Sequence, residues 1–330
     1  MFPEVFSSRM RRLLGDDADA FFAEFEKEDS VRSLRVNTRK WPVASFLTGC
    51  GEGLSPVPYT PDGFYCGEGW GSKHLHRAGA YYLQDPAAMS PVCALPVQPG
   101  WRVLDLCASP GGKTAQLAAF VGDDGFVVSG ELNPTRCRTL GGNVERMGFR
   151  NVMVMNGDGV YVASLFPGVF DLVLADVPCS GEGMFRKNPE ALAVWSEETV
   201  RSLASRQKPI LEAAAAAVKP GGYLLYSTCT FSTEENEEQI DAFLSSHPEF
   251  SLRPVSDKLL PYTAPGVSFP GCRTENIHLA RRFYPHLCPG EGQFLALMQR
   301  SEDGVEGTFA YADASRKLTA EESRVAEAFL

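Results

Sequence analysis

Several features are scarce in this chain of 330 residues, and each absence narrows the reading. No run of eighteen or more apolar residues occurs, so no membrane-spanning helix is expected. The opening stretch, MFPEVFSSRMRRLLGDD, lacks the long apolar centre of a secretory signal, and the expectation is a cytoplasmic protein. The nine cysteines, at positions 50, 66, 93, 107, 137, 179, 229, 272 and 288, include no CxxC pair. An odd number in a long chain argues against a disulfide framework and a zinc ribbon, so no metal site is expected. Most of these cysteines should be small buried hydrophobes. Basic residues do not predominate either: 31 face 41 acids, a net charge of −10, which on bulk charge disfavours nucleic acid as a partner.

The basic residues are nevertheless unevenly placed. SVRSLRVNTRK holds Arg32, Arg35, Arg39 and Lys40 without an acid. SKHLHRAGAYY mixes Lys73, Arg77 and two histidines with tyrosines, and Arg281 and Arg282 form a third cluster. The acids gather elsewhere, in STEENEEQID and toward the C-terminus. Two readings remain open here, a local basic face on an acidic protein or ordinary solvated surface charge.

Apolar residues make up 44% of the chain, enough for a core shared by roughly two domains. Residues 1–95 read as a smaller α+β unit. DADAFFAEFEKE has helical spacing, SLRVNT alternates like a strand, the Gly/Pro-rich passage Gly51–Gly71 reads as loops, and QDPAAMSPVCAL reads as a helix. From 96 to about 300, strands alternate with helices. The strands are WRVLDLCA, GFVVSGEL, NVMVMNGDG, FDLVLADVP and YLLYSTC, and GQFLALMQR could close the series. The long helix beginning at SEETVRSL is expected to break at Pro209 and stop at Pro220-Gly221-Gly222. Near-continuous apolar strands between helices predict an α/β fold with a parallel sheet covered on both faces. Residues 301–330 read as a polar linker and the start of a helix, with a further C-terminal region expected to be missing.

Ligands of such sheets bind beyond the carboxyl ends of the strands. LDLCASPGGKT sits there, with Gly111 and Gly112 allowing close backbone approach. It is neither GxGxxG nor a P-loop, and alone it would suit several nucleotide-like cofactors. Three acids narrow the choice: Glu131, Asp158 and Asp176 each end one of three consecutive strands. That arrangement suits the ribose, the adenine and the reacting end of an S-adenosylmethionine-type ligand. The alternative is that the acids cap helices.

Two cysteines end apolar runs on this same side, Cys179 in DVPCSGEGMF and Cys229 in YSTCTFS. Methylating carbon 5 of a cytosine requires such a residue. The carbon is a poor nucleophile until a thiolate adds to carbon 6. The adduct must then lose the carbon 5 proton and expel the thiolate. Cys229 precedes a helical segment whose N-terminus would favour a thiolate. Cys179 lies in a glycine-containing loop, CSGEG, expected to be able to move.

LDLCASPGGKT, DVPCSGEGMFRKNP and YSTCTFSTEENE, occurring in that order, resemble the signature segments of the RNA cytosine-5 methyltransferases of the Nol1/Nop2/Sun family. SLRVNT and YYLQDPAAM resemble that family's lead-in, and RRFYPHLCPGEGQFLALM is most similar to its bacterial RsmF-like branch, which modifies small-subunit ribosomal RNA. The resemblance covers roughly residues 30–300. It implies a Rossmann-like methyltransferase sheet with an N-terminal RNA-binding domain. It implies Cys229 as the nucleophile, Cys179 as the residue assisting elimination, and Asp176 near the cytosine edge. It implies S-adenosylmethionine bound by Cys107, Ala108, Ser109, Pro110, Gly111, Gly112 and Lys113 with Glu131, Asp158 and Asp176. Lys187, Arg32 and Arg35 are implied as RNA contacts. The implied partner is small-subunit ribosomal RNA, free or in the 30S particle, for a monomer without a membrane. Val177 departs from the proline often found before the Pro-Cys pair, and the PUA-type C-terminal domain usual in this branch is the region expected to be missing. The rival readings are another RNA such as tRNA, a DNA cytosine-5 methyltransferase that attacks with Cys179, and an RNA-binding factor that no longer turns over.

Overall fold

A computed structural model describes residues 2–27, 30–304 and 306–307. The chain opens with two short helices, α1 (Glu4–Leu14) and α2 (Ala18–Phe25). The small unit that follows holds β1 (Ser33–Val36), α3 (Val43–Cys50), β2 (Ser55–Pro56), β3 (Gly63–Tyr65), α4 (His74–Arg77), β4 (Tyr81–Leu83) and α5 (Pro86–Cys93). Its four strands form an antiparallel sheet in the order β2-β3-β1-β4. The Gly51–Gly71 passage is therefore not all loop. β2 and β3 within it pair residue by residue, strands too short to show an alternation.

The larger unit alternates as expected. It runs β5 (Arg102–Asp105), α6 (Gly112–Val121), β6 (Phe126–Glu131), α7 (Pro134–Met147), β7 (Val152–Asn156), α8 (Gly159–Ser164), β8 (Phe170–Asp176), α9 (Pro189–Ala193), α10 (Glu197–Ala217), β9 (Val218–Thr228), α11 (Glu237–Ser246), β10 (Phe250–Leu252), β11 (Ala264–Pro265), β12 (Arg281–Phe283) and β13 (Gln293–Arg300). β7, β6, β5, β8 and β9 lie parallel in that order, and β13 adds antiparallel to β9. Helices α6 and α7 pack on one face, α8, α10 and α11 on the other. Central strands are consequently apolar on both sides. Phe170, Leu172, Val173 and Leu174 of β8 are fully buried, each large side chain contributing about 1.5–3 kcal/mol.

Two local expectations fail. α10 runs through Pro209 without interruption. Pro220-Gly221-Gly222 does not stop it; the helix ends at Ala217 and the segment bulges out of β9. Val218 stands opposite Phe170 and Tyr223 opposite Leu172, so the residues between them loop away with Gly221 at φ 74°. Of the expected C-terminal linker and helix, most lies outside the described residues.

The N-terminal segment divides in its packing. The small sheet has its own core around Leu34, Phe46 and Tyr81. Phe6, Phe21 and Phe25 of α1 and α2 instead pack on Phe185, Trp195, Phe231 and Tyr284 of the larger unit. Those four belong to segments around the carboxyl end of the parallel sheet. Among the described residues no helix is long and apolar enough to cross a membrane.

Arg282 departs from the expected basic cluster. It is 1% exposed and paired with Glu237 through Nε–Oε1 at 2.6 Å and a second, shorter contact, while Nη1 donates to the Phe231 carbonyl at 2.8 Å. Ile240 and Phe243 set the phase of α11 and turn Glu237 inward. Glu237→Ala would strand the buried guanidinium. The expected cost is about 3–5 kcal/mol of unfolding free energy, read from the denaturant midpoint.

Candidate active site

Strand order reverses direction between β5 and β8, and ligands of open sheets bind at such a switch point. The loop Cys107–Gly111 follows β5 there. Gly111 has φ 105°, and a Cβ at that position would lie 2.9 Å from Leu140 Cδ1, so the turn into α6 admits only glycine. One residue into α6, Lys113 reaches back to Asp176 at the end of β8, with Nζ–Oδ2 at 2.8 Å. Burial opposes the Lys113 charge, but Asp176 and Asp105 outweigh it and its pKa is raised. Asp176 also accepts from Ser227 Oγ at 2.5 Å and Gln293 Nε2 at 3.3 Å. Asp105 is buried and accepts from Thr114 at 2.7 Å; burial pushes its carboxyl up to about 7.

Along the groove, Glu131 ends β6 at 5% exposure. Its Oε1 accepts from the Asn133 amide at 2.8 Å, and Arg136 lies 3.4 Å from Oε2. Asp158 is exposed after β7, with Oδ1 capping α8 through Val160 and Tyr161 at 2.7 and 3.3 Å. The capping alternative thus holds for one oxygen of Asp158. These groups fit S-adenosylmethionine: carboxylates after three successive strands match a diol, an exocyclic amine and a sulfonium, and Gly111 leaves the backbone open between them.

The two cysteines meet. Their sulfurs are 3.4 Å apart, and the Cys229 amide donates to Cys179 Sγ at 3.3 Å. The hydrogen bond with Cys229, then burial, push the Cys179 thiol well up, so Cys179 stays protonated. The Lys113 ammonium lies within electrostatic reach of Cys229. Helix α11 does not supply that field. It starts at Glu237, eight residues beyond Cys229, too far for a terminal dipole.

Nor is the Cys179 loop free to move. Glu235, with no exposed surface, accepts from the Ser180 amide at 2.9 Å, from Gln207 Nε2 at 2.8 Å and from the Ser180 hydroxyl. That hydroxyl also meets Thr230 at 2.7 Å, so one carboxylate ties the neighbours of both cysteines together. Glu182, 1% exposed, takes Trp195 Nε1 at 2.8 Å, the Phe231 amide at 2.9 Å and Ser232 Oγ at 2.6 Å. Gly183 and Gly292 touch backbone to backbone; a Cβ on Gly183 would stand 2.6 Å from Gly292 Cα. Sequence reasoning missed Glu235, because nothing in an acidic run marks which acid turns inward.

The expected RNA contacts fare differently. Arg35 is fully buried, bonded to Asp62, Gln84 and the Gly112 carbonyl, and cannot reach RNA; it braces the small sheet against α6. Lys187 is held by Asp85 at 2.6 Å and by Glu291 at 3.6 Å, which neutralise it. Arg32 is exposed and pairs with Glu68 at 2.7 Å.

Burial raises Glu235 from 4.5 to about 7. Between those values the folded protein keeps a proton that the unfolded chain has released, so stability falls as pH rises through the window. Asp105 acts with the same sign. Glu235→Gln should remove part of that fall in denaturation midpoints compared at about pH 5 and about pH 8; an unchanged slope would contradict the assignment.

Residues 92–299 match the family described as 16S rRNA methyltransferase RsmB/F, and residues 2–86 match the N-terminal domain of 16S rRNA methyltransferase RsmF. The chain is 34% identical over 311 residues to ribosomal RNA small subunit methyltransferase F of Serratia proteamaculans, covering 90% of this chain and 63% of that protein. The Escherichia coli protein of that name is 35% identical over 317 residues, covering 91% and 64%. The chain thus spans just under two thirds of these relatives. Among solved structures, a methyltransferase homologue from Pyrococcus horikoshii superposes with TM-score 0.78 at 29% identity, covering 91% of this chain and 95% of that one. NSun6 from Pyrococcus horikoshii gives TM-score 0.77 at 20% identity, covering 92% and 99%, a likeness of fold alone. With its glycine turn, its strand-end acids and both matched segments in order, the chain belongs to the 16S rRNA methyltransferase RsmB/F family.

Proposed function

We propose that this chain makes 5-methylcytosine in 16S ribosomal RNA, with Cys229 as nucleophile and Cys179 assisting release. The observation that carries this reading is the pair of sulfurs 3.4 Å apart, in a site that also holds the Lys113–Asp176 pair. The cofactor of the family is S-adenosylmethionine, which supplies an electrophilic methyl group when bound.

The target cytosine must leave its stack to reach the strand ends. Asp176 already takes three donors. Its two oxygens offer about four acceptor sites, which leaves one for the cytosine amino group. The Cys229 thiolate adds to carbon 6, and the electron density this moves to carbon 5 would form the new carbon–methyl bond as the methyl group's bond to the sulfonium breaks and its electron pair stays on that sulfur. The carbon 5 proton passes to a solvent water, and the electron pair it leaves restores the ring double bond and expels Cys229 as thiolate. Cys179, kept protonated beside it, donates its S–H toward the departing sulfur and stabilises that charge. The fixed Ser180 and Thr230 neighbours hold the two sulfurs in register during both steps.

In this reading residues 1–95 contribute RNA binding and residues 96–300 the chemistry. The protein works as a cytoplasmic monomer on ribosomal RNA, free or in the 30S particle.

RNA carrying 5-fluorocytosine traps the adduct, because fluorine cannot leave as the proton does. Cys229→Ser should form no adduct. Cys179→Ser should form it and, on ordinary RNA, release product about 10²–10⁴-fold more slowly. The opposite pattern would transfer the attack to Cys179 and overturn the assignment. Bisulfite sequencing of 16S ribosomal RNA from cells with and without the gene should reveal a cytosine protected only in the former. Protection confined to tRNA would refute the ribosomal target.

A further inference from the structure

Most basic side chains around the catalytic face answer a carboxylate, but one flank does not. Helix α7 starts at the cofactor loop: Arg136 donates to the Ser109 carbonyl at 3.0 Å and Asn143 to the Pro110 carbonyl at 2.8 Å. One turn on, Arg146 spends its guanidinium on the His76 carbonyl at 2.6 Å and on Asn143 at 3.1 Å. Lys40, from the small unit, donates to the carbonyls of Ala78 and Arg146 at 2.6 and 2.8 Å. Arg77 and Arg150 are exposed beside them. Among the described residues, none of Lys40, Arg77, Arg146 and Arg150 forms an ion pair. The acids on this flank include Asp123, which is held by Arg39 and also lies within electrostatic reach of Arg150, its neighbour Asp124, and Glu145, exposed on α7.

The charges crowd one another. Burial and then Arg146 lower the pKa of both Lys40 and His76. A chain of net charge −10 thus gathers like charges that form no ion pair among the described residues along α7, whose 14 residues span about 21 Å. Such an arrangement costs folding free energy and creates a positive field along one path.

We infer that this flank binds the phosphate backbone of the RNA strand that leaves the catalytic pocket past Ser109 and Pro110. The inference rests on RNA being the substrate. Both units build the surface, Lys40 and Arg77 from one and Arg146 and Arg150 from the other. Asn37 Nδ2 joins them beneath it, donating to the Met147 carbonyl at 2.8 Å. Bound RNA therefore bridges the two units at their seam. The charge patterning read from SVRSLRVNTRK and SKHLHRAGAYY resolves here: Lys40 and Arg77 belong to the face, Arg35 does not.

The test measures binding of a 16S ribosomal RNA transcript across salt concentrations for R77E/R150E, whose side chains make no hydrogen bond among the described residues. R206E/K208E, exposed on α10 across the sheet, makes the same change in net charge. R77E/R150E should weaken binding roughly ten-fold or more. It should also flatten the dependence of log K on log salt by about 0.7–0.9 per lost contact. S-adenosylmethionine affinity, measured by calorimetry, should stay unchanged. Equal losses in both variants, or none in R77E/R150E, would overturn the surface and leave the methyltransferase reading standing. A wild-type chain that binds S-adenosylmethionine but no 16S transcript would overturn both.

Discussion

A single buried carboxylate fixes the relation between the two cysteines. Glu235 accepts from both the amide and the hydroxyl of Ser180 and from Gln207, and through Ser180 it reaches Thr230. The neighbours of Cys179 and Cys229 end separate strands, and this carboxylate adds a buried tie to the direct contact between the Ser180 and Thr230 hydroxyls. A covalent reaction that uses one sulfur to form a bond and the other to help break it needs the two at one distance throughout. Burying a carboxylate is costly unless its lone pairs are filled, and here strand-end hydroxyls and amides fill them.

A second layer supports the first. Glu182 holds Trp195, Phe231 and Ser232, and Arg282 binds both Glu237 and the Phe231 carbonyl. Phe231, two residues past Cys229, is thus bonded at both its amide and its carbonyl, while its ring packs against Phe21 and Tyr284. The first two helices therefore sit on the loops that carry Cys179 and Cys229, away from the core of the small unit.

The parallel sheet was legible because its signal is local. Apolar strands such as FDLVLAD and the glycine turn at 111 each state their conformation within a few residues. What escaped reading depended on partners far along the chain. Arg35 looked like a surface cation until Asp62 and Gly112 enclosed it, and Arg282 until Glu237 did. Pro220-Gly221-Gly222 carries a genuine break signal, but whether it ends a helix or bulges a strand depends on the register with β8. The loop CSGEG has the composition of a mobile segment and is held by acids 55 and 49 residues distant from their partners within the same network.

The contact between Gly183 and Gly292 has a consequence of its own. Two alpha carbons that press together leave no side chain whose size or polarity could be adjusted at that point. Gly183 also donates to the Cys229 carbonyl, so the same spot sets where that strand end lies. The spacing there is therefore digital: the backbones either meet or are forced apart. Any graded adjustment of these loops would have to come from residues around the contact, because the contact itself admits none.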